Sequence, residues 1–303
     1  MSPARATIFA VDLGGTKVRA AAATGGGRIV AETVEPTEHG GAGVYLAQLR
    51  RLRDALTAAG GVGPGELRAA GIGLPAAVEP GGVLGSTQNV PGLGGERLED
   101  RLAAALRMPV RLENDANLAA LGEGWRGAAR GVRDYAVLSV GTGIGAGVVA
   151  GGRLVRGAHG WAGELAYLPL GGDPLAPGAR EHGAFEMAAA GPALQSRFGA
   201  AYGRLEEVTR AAASGDARAV ALLDEETRLL ALGITALTAV TDPALVLLSG
   251  GVGSVDGLLG PLRRWLAALL ARPPEVRAGA LGERAALVGA VRLARGAPQG
   301  WRR

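Results

Sequence analysis

Apolar residues fall in short runs and alternations separated by glycine pairs, and their spacing predicts most of the elements. Residues 7–11 form an apolar strand, a Gly14-Gly15 turn follows, and 17–23 and 28–34 continue as second and third strands, so the chain is predicted to open as a β-meander. Leucine and alanine at helical spacing predict a helix over 43–59, and 67–74 reads as a strand stopped by Pro75. A helix over 98–106 precedes a short strand at 110–112. Asp115 is then placed to cap a helix running to about residue 127, its carboxylate facing the amides of the first turn.

The second half repeats this order. Residues 135–140 predict a strand, Gly141-Thr142-Gly143-Ile144-Gly145 a glycine-rich turn, and 146–154 the returning strand, an echo that suggests duplicated halves. Helices are predicted near 184–198, 205–213 and 217–239, then a strand at 244–248, Gly250-Gly251 before another helix, and a final helix over 284–294. At 303 residues the chain exceeds a comfortable single core. No linker or low-complexity spacer separates the halves, so two domains are expected to meet near residue 117 with a cleft between them.

Composition narrows the class. Hydrophobic residues make up 48% but aromatics only 4%, so the core is built from Ala, Val and Leu, with 52 glycines for turns and close backbone approaches. The absence of cysteine removes disulfides, thiolate metal sites and cysteine nucleophiles. The net charge is +4, yet the arginines are dispersed and form no basic stripe interleaved with aromatics, which argues against a nucleic-acid partner. Every apolar run is interrupted before it could span a bilayer, and the first residues lack the apolar core of a signal peptide, so the expected location is the cytoplasm. Lys17 is the chain's single lysine, and asparagine occurs only at Asn89, Asn114 and Asn117. A chain that avoids these residue types keeps them where another side chain fails.

Asp12-Leu13-Gly14-Gly15-Thr16-Lys17 joins two strands, so it is no Walker loop, which leads into a helix. A glycine hairpin lets amides approach polyphosphate oxygens, Thr16 adds a hydroxyl donor, and Asp12 can hold a magnesium-bound water. The same residues also suit a tight β-turn with an incidental Asp. The second loop, Gly141 to Gly147, places glycine at every other position, lacks the G-x-G-x-x-G spacing of dinucleotide folds and opens no helix, which argues against a nicotinamide cofactor. It is either a second phosphate cradle or a structural hairpin.

Glu113-Asn114-Asp115 sits between a strand and a helix, where a carboxylate is held at the mouth of a sheet. Phosphoryl transfer needs a positioned hydroxyl, neutralised phosphate charge and a base within reach, which Asp115 could supply; the alternative is that it only caps its helix. The rare Asn114 beside it favours function, as a ligand of a sugar hydroxyl. Glu164 and Glu186 are carboxylates in apolar, glycine-rich surroundings, suited to accept hydrogen bonds from a polyol or simply to stand solvated near a helix start. His39, His159 and His182 show no metal-ligand spacing.

Together these segments resemble the ROK family of sugar kinases and sugar-responsive repressors, over nearly the whole chain. Asp12 to Lys17 resembles the family's first phosphate loop, Gly71-Ile72-Gly73-Leu74-Pro75 its G-[IV]-G-x-P strand end, and Asn89 its sugar-facing asparagine. Glu113-Asn114-Asp115-Ala116-Asn117 resembles the E-N-D-A-N core, in which the Asp is the catalytic base and the neighbouring Asn binds sugar. Gly141 to Gly147 resembles the second phosphate loop, Gly160-Trp161-Ala162-Gly163-Glu164 the G-x-A-G-E segment whose Glu binds sugar, and Ser249-Gly250-Gly251-Val252 the adenosine-side turn. Two departures fall where the family carries E-x-x-H and a cysteine-rich zinc segment: the His position is Tyr167 and the cysteine positions are Pro177, Ala179 and Ala184, while Gly183 and Glu186 remain. No zinc is therefore expected. The loop is expected to be held by packing, with the Tyr167 hydroxyl offered to the sugar. Ala76, where glycine is common, is expected to narrow the pocket.

The resemblance implies an α/β, two-domain actin-like ATPase (ribonuclease H-like) fold with a central cleft. A small domain, 1–117, would be joined by the last helix, 284–303, and a larger domain, 118–283, would carry a homodimer interface. It implies ATP-dependent phosphorylation of a hexose, glucose foremost, at the 6-hydroxyl, with ATP and Mg2+. Asp115 is then the base; Asn89, Asn114, Asp115, Glu164, Tyr167 and Glu186 hold the sugar; Asp12, Gly14, Gly15, Thr16, Lys17, Gly141, Thr142, Gly143, Gly250 and Gly251 hold the nucleotide. The chain starts at its first strand, with no room expected for the repressors' DNA-binding domain. Competing readings are a non-catalytic sugar-binding regulator, a kinase using polyphosphate, a kinase for another hexose or an N-acyl amino sugar, and an actin-like ATPase with a protein partner.

Overall fold

The computed structural model describes residues 6–63, 65–80, 82–85, 90, 92–93, 97–253 and 255–296. Its contacts divide the chain into two compact units: Met1–Arg126 with Arg156–Ala162 and Arg284–Arg303, and Gly127–Val155 with Gly163–Glu283.

Unit 1 is built on a five-stranded sheet. Strands β1 (Ala6–Leu13), β2 (Lys17–Thr24) and β3 (Ile29–Pro36) form the antiparallel meander, and helix α1 (Ala42–Ala59) leads to β4 (Ala69–Leu74), which lies parallel to β1. Helix α2 (Leu98–Leu106) leads to β5 (Val110–Asn114), parallel to β4, and β5 runs directly into helix α3 (Asp115–Arg126). The strand order is β3-β2-β1-β4-β5. The period-two pattern decides the faces: Phe9, Val11 and Leu13 of β1 and Ala70, Ile72 and Leu74 of β4 share a core with Tyr45, Leu49, Leu52 and Leu56 of α1 and with Leu98, Leu102 and Leu106 of α2. On the opposite face, small residues let backbones approach. A side chain on Gly71 would overlap the carbonyl oxygen of Ala290 in the last helix (Ala285–Ala294) at 2.1 Å. That helix also packs on α3, which is why residues 118–126 lie with unit 1 and the boundary falls at Arg126, not near residue 117.

Unit 2 repeats the plan. Strands β6 (Tyr135–Val140), β7 (Ile144–Ala150) and β8 (Arg153–Val155) form an antiparallel meander, the return at 146–154 being broken at Gly151-Gly152 into two strands. After a 3-10 turn (Leu165–Tyr167) come helices α4 (Ala179–His182), α5 (Ala184–Ala189), α6 (Gly191–Tyr202), α7 (Leu205–Ala213) and α8 (Ala217–Thr241). The single helix expected over 184–198 is two, because Ala190 takes extended backbone (φ −88°, ψ 172°). Strand β9 (Leu245–Ser249) is parallel to β6 and is followed by the short helix α9 (Gly250–Gly253), helix α10 (Leu259–Leu269) and β10 (Glu275–Ala278), giving the order β10-β9-β6-β7-β8. Read from its far edge this is unit 1's order, so the echo in the sequence is an echo in topology. The core joins Leu138, Val140, Ile144 and Val148 of the sheet to Phe185, Leu194, Leu230, Ile234 and Leu262 of the helices.

Candidate functional site

In unit 1 the candidate residues gather at the carboxyl ends of β1, β4 and β5, where open α/β sheets place their ligands. Asp12 pairs in register with Gly73 of β4, and its Oδ1 lies 3.6 Å from where a Gly73 side chain would begin. The hairpin that follows is closed by the Gly14 N–H donating to the Lys17 carbonyl at 3.0 Å, and Thr16 and Lys17 are exposed at its tip. It is also tied to the end of β3: the buried Thr37 hydroxyl donates to the Gly14 carbonyl at 2.7 Å and the Thr37 N–H to the Thr16 carbonyl at 3.1 Å.

At the start of α3 the capping role falls to Asn114, whose Oδ1 accepts the Asn117 N–H at 3.1 Å, and not to Asp115. The Asn114 Nδ2 points toward the Ala76 carbonyl at 3.5 Å, so this side chain expected on the sugar is first a cap. Asp115 stands half-buried at the first helical residue, with Oδ1 accepting the Ala116 N–H at 2.7 Å. Beneath both, Glu113 is 3% exposed. Its Oε1 accepts the Asn114 N–H at 3.1 Å and Asn117 Nδ2 at 3.0 Å, and its Oε2 accepts Arg156 Nε at 2.6 Å. The sequence pattern shows Glu113 but neither its role nor Arg156, its partner 43 positions away. The pair fixes the turn on which Asp115 sits, and ties the segment Arg156–Ala162 to unit 1. Asn89 lies outside the described residues.

In unit 2 the second loop is a hairpin of three residues between β6 and β7, closed by the Gly141 N–H donating to the Gly143 carbonyl at 2.9 Å; Gly145 and Gly147 belong to β7. Ile144 N–H donates to Glu186 Oε2 at 2.9 Å, and Gly191 N–H donates to the Gly141 carbonyl at 2.8 Å. A side chain on Gly141 or on Gly251 would enter open space, so backbone there is bare to an approaching ligand, as a phosphate cradle requires. Gly250 has φ +78° and begins α9. Glu164 follows Gly163, where φ is +94° and a side chain would overlap the Ala146 carbonyl oxygen, so only glycine fits and the carboxylate is delivered from a fixed turn beside β7. Burial pushes its carboxyl up to about 7, with the Glu186 charge adding to the effect. The Glu186 carboxyl is raised too, by burial, against the Ile144 amide and His182, which act to lower it. The Tyr167 hydroxyl donates to the Glu181 carbonyl at 3.0 Å, bridging the 3-10 turn to α4 where a bond to the sugar was expected. Among the described residues no group of three or more His, Asp or Glu could hold a metal ion, and Pro177, Ala179 and Ala184 bring no donor side chains.

Two sheets of one topology, each carrying a glycine hairpin between its first two strands, define an α/β protein of the actin-like ATPase fold. Residues 8–297 match the ROK family, and the chain belongs to it. Among solved structures, a ROK hexokinase from Thermus thermophilus is 35% identical, with a TM-score of 0.76 over 95% of this chain and 97% of its own. A ROK family glucokinase from Streptomyces griseus, in complex with glucose and AMPPNP, is 30% identical, with a TM-score of 0.79 over 96% of this chain and 99% of its own. A glucokinase from Halalkalibacterium halodurans is 34% identical over 169 residues, 54% of this chain and 51% of that protein. The chain thus spans about half the length of the curated relatives it matches.

Proposed function

We propose that the protein transfers the terminal phosphoryl group of ATP to a hexose, with glucose at its 6-hydroxyl as the foremost substrate. The observation that carries this is the β5–α3 turn. Asn114 caps the helix and Glu113 is engaged by Arg156 and Asn117, while Asp115 stands half-buried at the first helical residue with Oδ1 accepting the Ala116 N–H, which supports the reading of Asp115 as the base. In the reaction the sugar hydroxyl gives its proton to the Asp115 carboxylate as its oxygen bonds the terminal phosphorus, and the bond from that phosphorus to the bridging oxygen of ADP breaks. Asn89, Asn114, Glu164 and Glu186 would hold the other hydroxyls. The bare backbone at Gly141 and Gly251, with Gly14, Gly15, Thr16, Lys17, Thr142, Gly143 and Gly250, would hold the nucleotide. Magnesium brought by ATP would neutralise phosphate charge, with Asp12 reaching it through water. The ROK hexokinase and glucokinase matched across nearly the full chain support this assignment.

The test is ADP release by the purified protein with magnesium-ATP and a panel of hexoses and N-acyl amino sugars. Sugar-dependent release that falls about a thousandfold in Asp115→Asn is the expected outcome. Release without any sugar, or an Asp115→Asn variant that keeps pace with the wild type, would overturn the assignment. Sugar binding with no turnover would leave a regulator.

A further inference from the structure

We propose that Glu186 is the positioning residue for the second glycine hairpin, so that one carboxylate serves the sugar with one oxygen and sets the donor-phosphate loop with the other. This rests on the sugar kinase assignment above and deepens it. Glu186 belongs to α5, a helix of six residues. Its Oε2 accepts the Ile144 N–H at 2.9 Å and lies 2.5 Å from where a Gly143 side chain would begin, so it fills the space that the glycine leaves. Its backbone carbonyl accepts the Ala190 N–H at 2.9 Å, and the next residue, Gly191, donates to the Gly141 carbonyl at 2.8 Å. The segment 186–191 therefore grips the hairpin at both ends, by a side chain at Ile144 and by backbone at Gly141.

The other oxygen, Oε1, has His182 Nδ1 at 3.9 Å, and Glu164 lies close enough for the Glu186 charge to act on it. A hexose hydroxyl donating to Oε1 fixes the carboxylate's rotation, and through Oε2 that fixes the Ile144 amide and the loop before it. Since coupling between two binding sites is reciprocal, nucleotide bound on the hairpin strengthens sugar binding by the same factor. The loop glycines are permissive in φ and ψ, and a charge-assisted hydrogen bond is the kind of contact that restrains them.

The experiment measures equilibrium binding of magnesium-AMPPNP to the full chain, with and without glucose, for the wild type, Glu186→Gln and Glu186→Ala. Without sugar, Glu186→Ala should bind the nucleotide about tenfold more weakly, the size of one lost charge-assisted hydrogen bond. Glu186→Gln, whose amide oxygen still accepts from Ile144, should stay within about twofold of the wild type. Glucose should tighten nucleotide binding in the wild type and not in Glu186→Ala. If Glu186→Ala binds nucleotide like the wild type while sugar affinity falls, Glu186 is a sugar ligand alone and the proposal fails. Should the alanine variant not fold, Glu186→Asp, which keeps the charge but shortens the reach, carries the same comparison. A protein that binds nucleotide but phosphorylates no hexose would sink the kinase assignment while leaving the sugar-free arms readable.

Discussion

The two glycine hairpins occupy the same place in sheets of the same topology, yet they are fastened differently. In unit 1 the hairpin after β1 is tied by Thr37, a neutral hydroxyl and an amide from the end of the neighbouring meander strand. In unit 2 the hairpin after β6 is tied by Glu186 and Gly191, brought from helices more than forty residues further along the chain. The first fastening is local and uncharged, so nothing bound elsewhere need disturb it. The second uses a carboxylate with a raised pKa that also stands beside Glu164, and so it can respond to protons and to a polyol. Glu164, Glu186 and Glu226, whose buried carboxyl is pushed up to about 8 by desolvation against the attraction of Arg197, all belong to unit 2. One topology thus carries one hairpin fastened by neutral groups and one fastened by a titratable carboxylate.

The harshest way to break that contrast is Gly143→Ala. The new methyl would sit 2.5 Å from Glu186 Oε2 and push the carboxylate off the Ile144 amide, whereas the same change at Gly14 meets only the Lys17 carbonyl, at 3.0 Å. A misplacement near 1 Å costs on the order of a hundredfold in rate, and that loss in kcat/KM is expected for Gly143→Ala with a smaller one for Gly14→Ala, both read from initial rates with magnesium-ATP and glucose.

A milder probe uses pH. Glu164 is raised to about 7, so it is mostly protonated at pH 6 and mostly ionised at pH 8. An ionised carboxylate accepts sugar hydroxyls more strongly than a neutral acid. The KM for hexose should therefore fall as pH rises, by up to about tenfold between pH 6 and 8, the change in the ionised fraction of a group titrating at 7. Glu164→Gln should bind more weakly and lose the slope. By linkage the same shift acts on stability with the opposite sense: a carboxyl raised above its unfolded value favours the folded state at low pH, and that contribution fades as pH climbs through about 7.

The elements that the sequence disclosed are those held by local pattern. The period-two runs flanking Gly14-Gly15 and Gly141 to Gly143 marked both hairpins, and helices α2 and α7 matched their predicted bounds because apolar spacing and Gly or Pro punctuation agree there. Helix α4 and strand β10 were missed, being four residues each and too short to show a period. The split at Ala190 carries no Pro or Gly at the break itself, though Gly191-Pro192 follows. The candidate site residues Asp115, Glu164 and Glu186 stand out in the sequence by residue type and surroundings. Their fastenings do not, since Glu113 to Arg156 and Ile144 to Glu186 are pairings 43 and 42 positions apart that no local pattern encodes. The bond from the Tyr167 hydroxyl to Glu181 is hidden for the same reason: its acceptor is a backbone carbonyl, which has no sequence signature.

The smallest effect falls on the hairpin fastened by neutral groups. Thr37→Val keeps the shape of the side chain but deletes the hydroxyl that donates to the Gly14 carbonyl, while the Thr37 N–H still donates to Thr16. One neutral hydrogen bond is worth about 1 kcal/mol net, and a retained backbone bond softens its loss. The KM for ATP should rise no more than about threefold, with the hexose KM unchanged and no added pH dependence, because nothing that titrates has been touched. Measured beside Glu186→Ala, this variant isolates the difference between the two hairpins. If Thr37→Val instead shifted the sugar KM as strongly as the nucleotide KM, the first loop would be coupled to the sugar as well, and the contrast between the two fastenings would not hold.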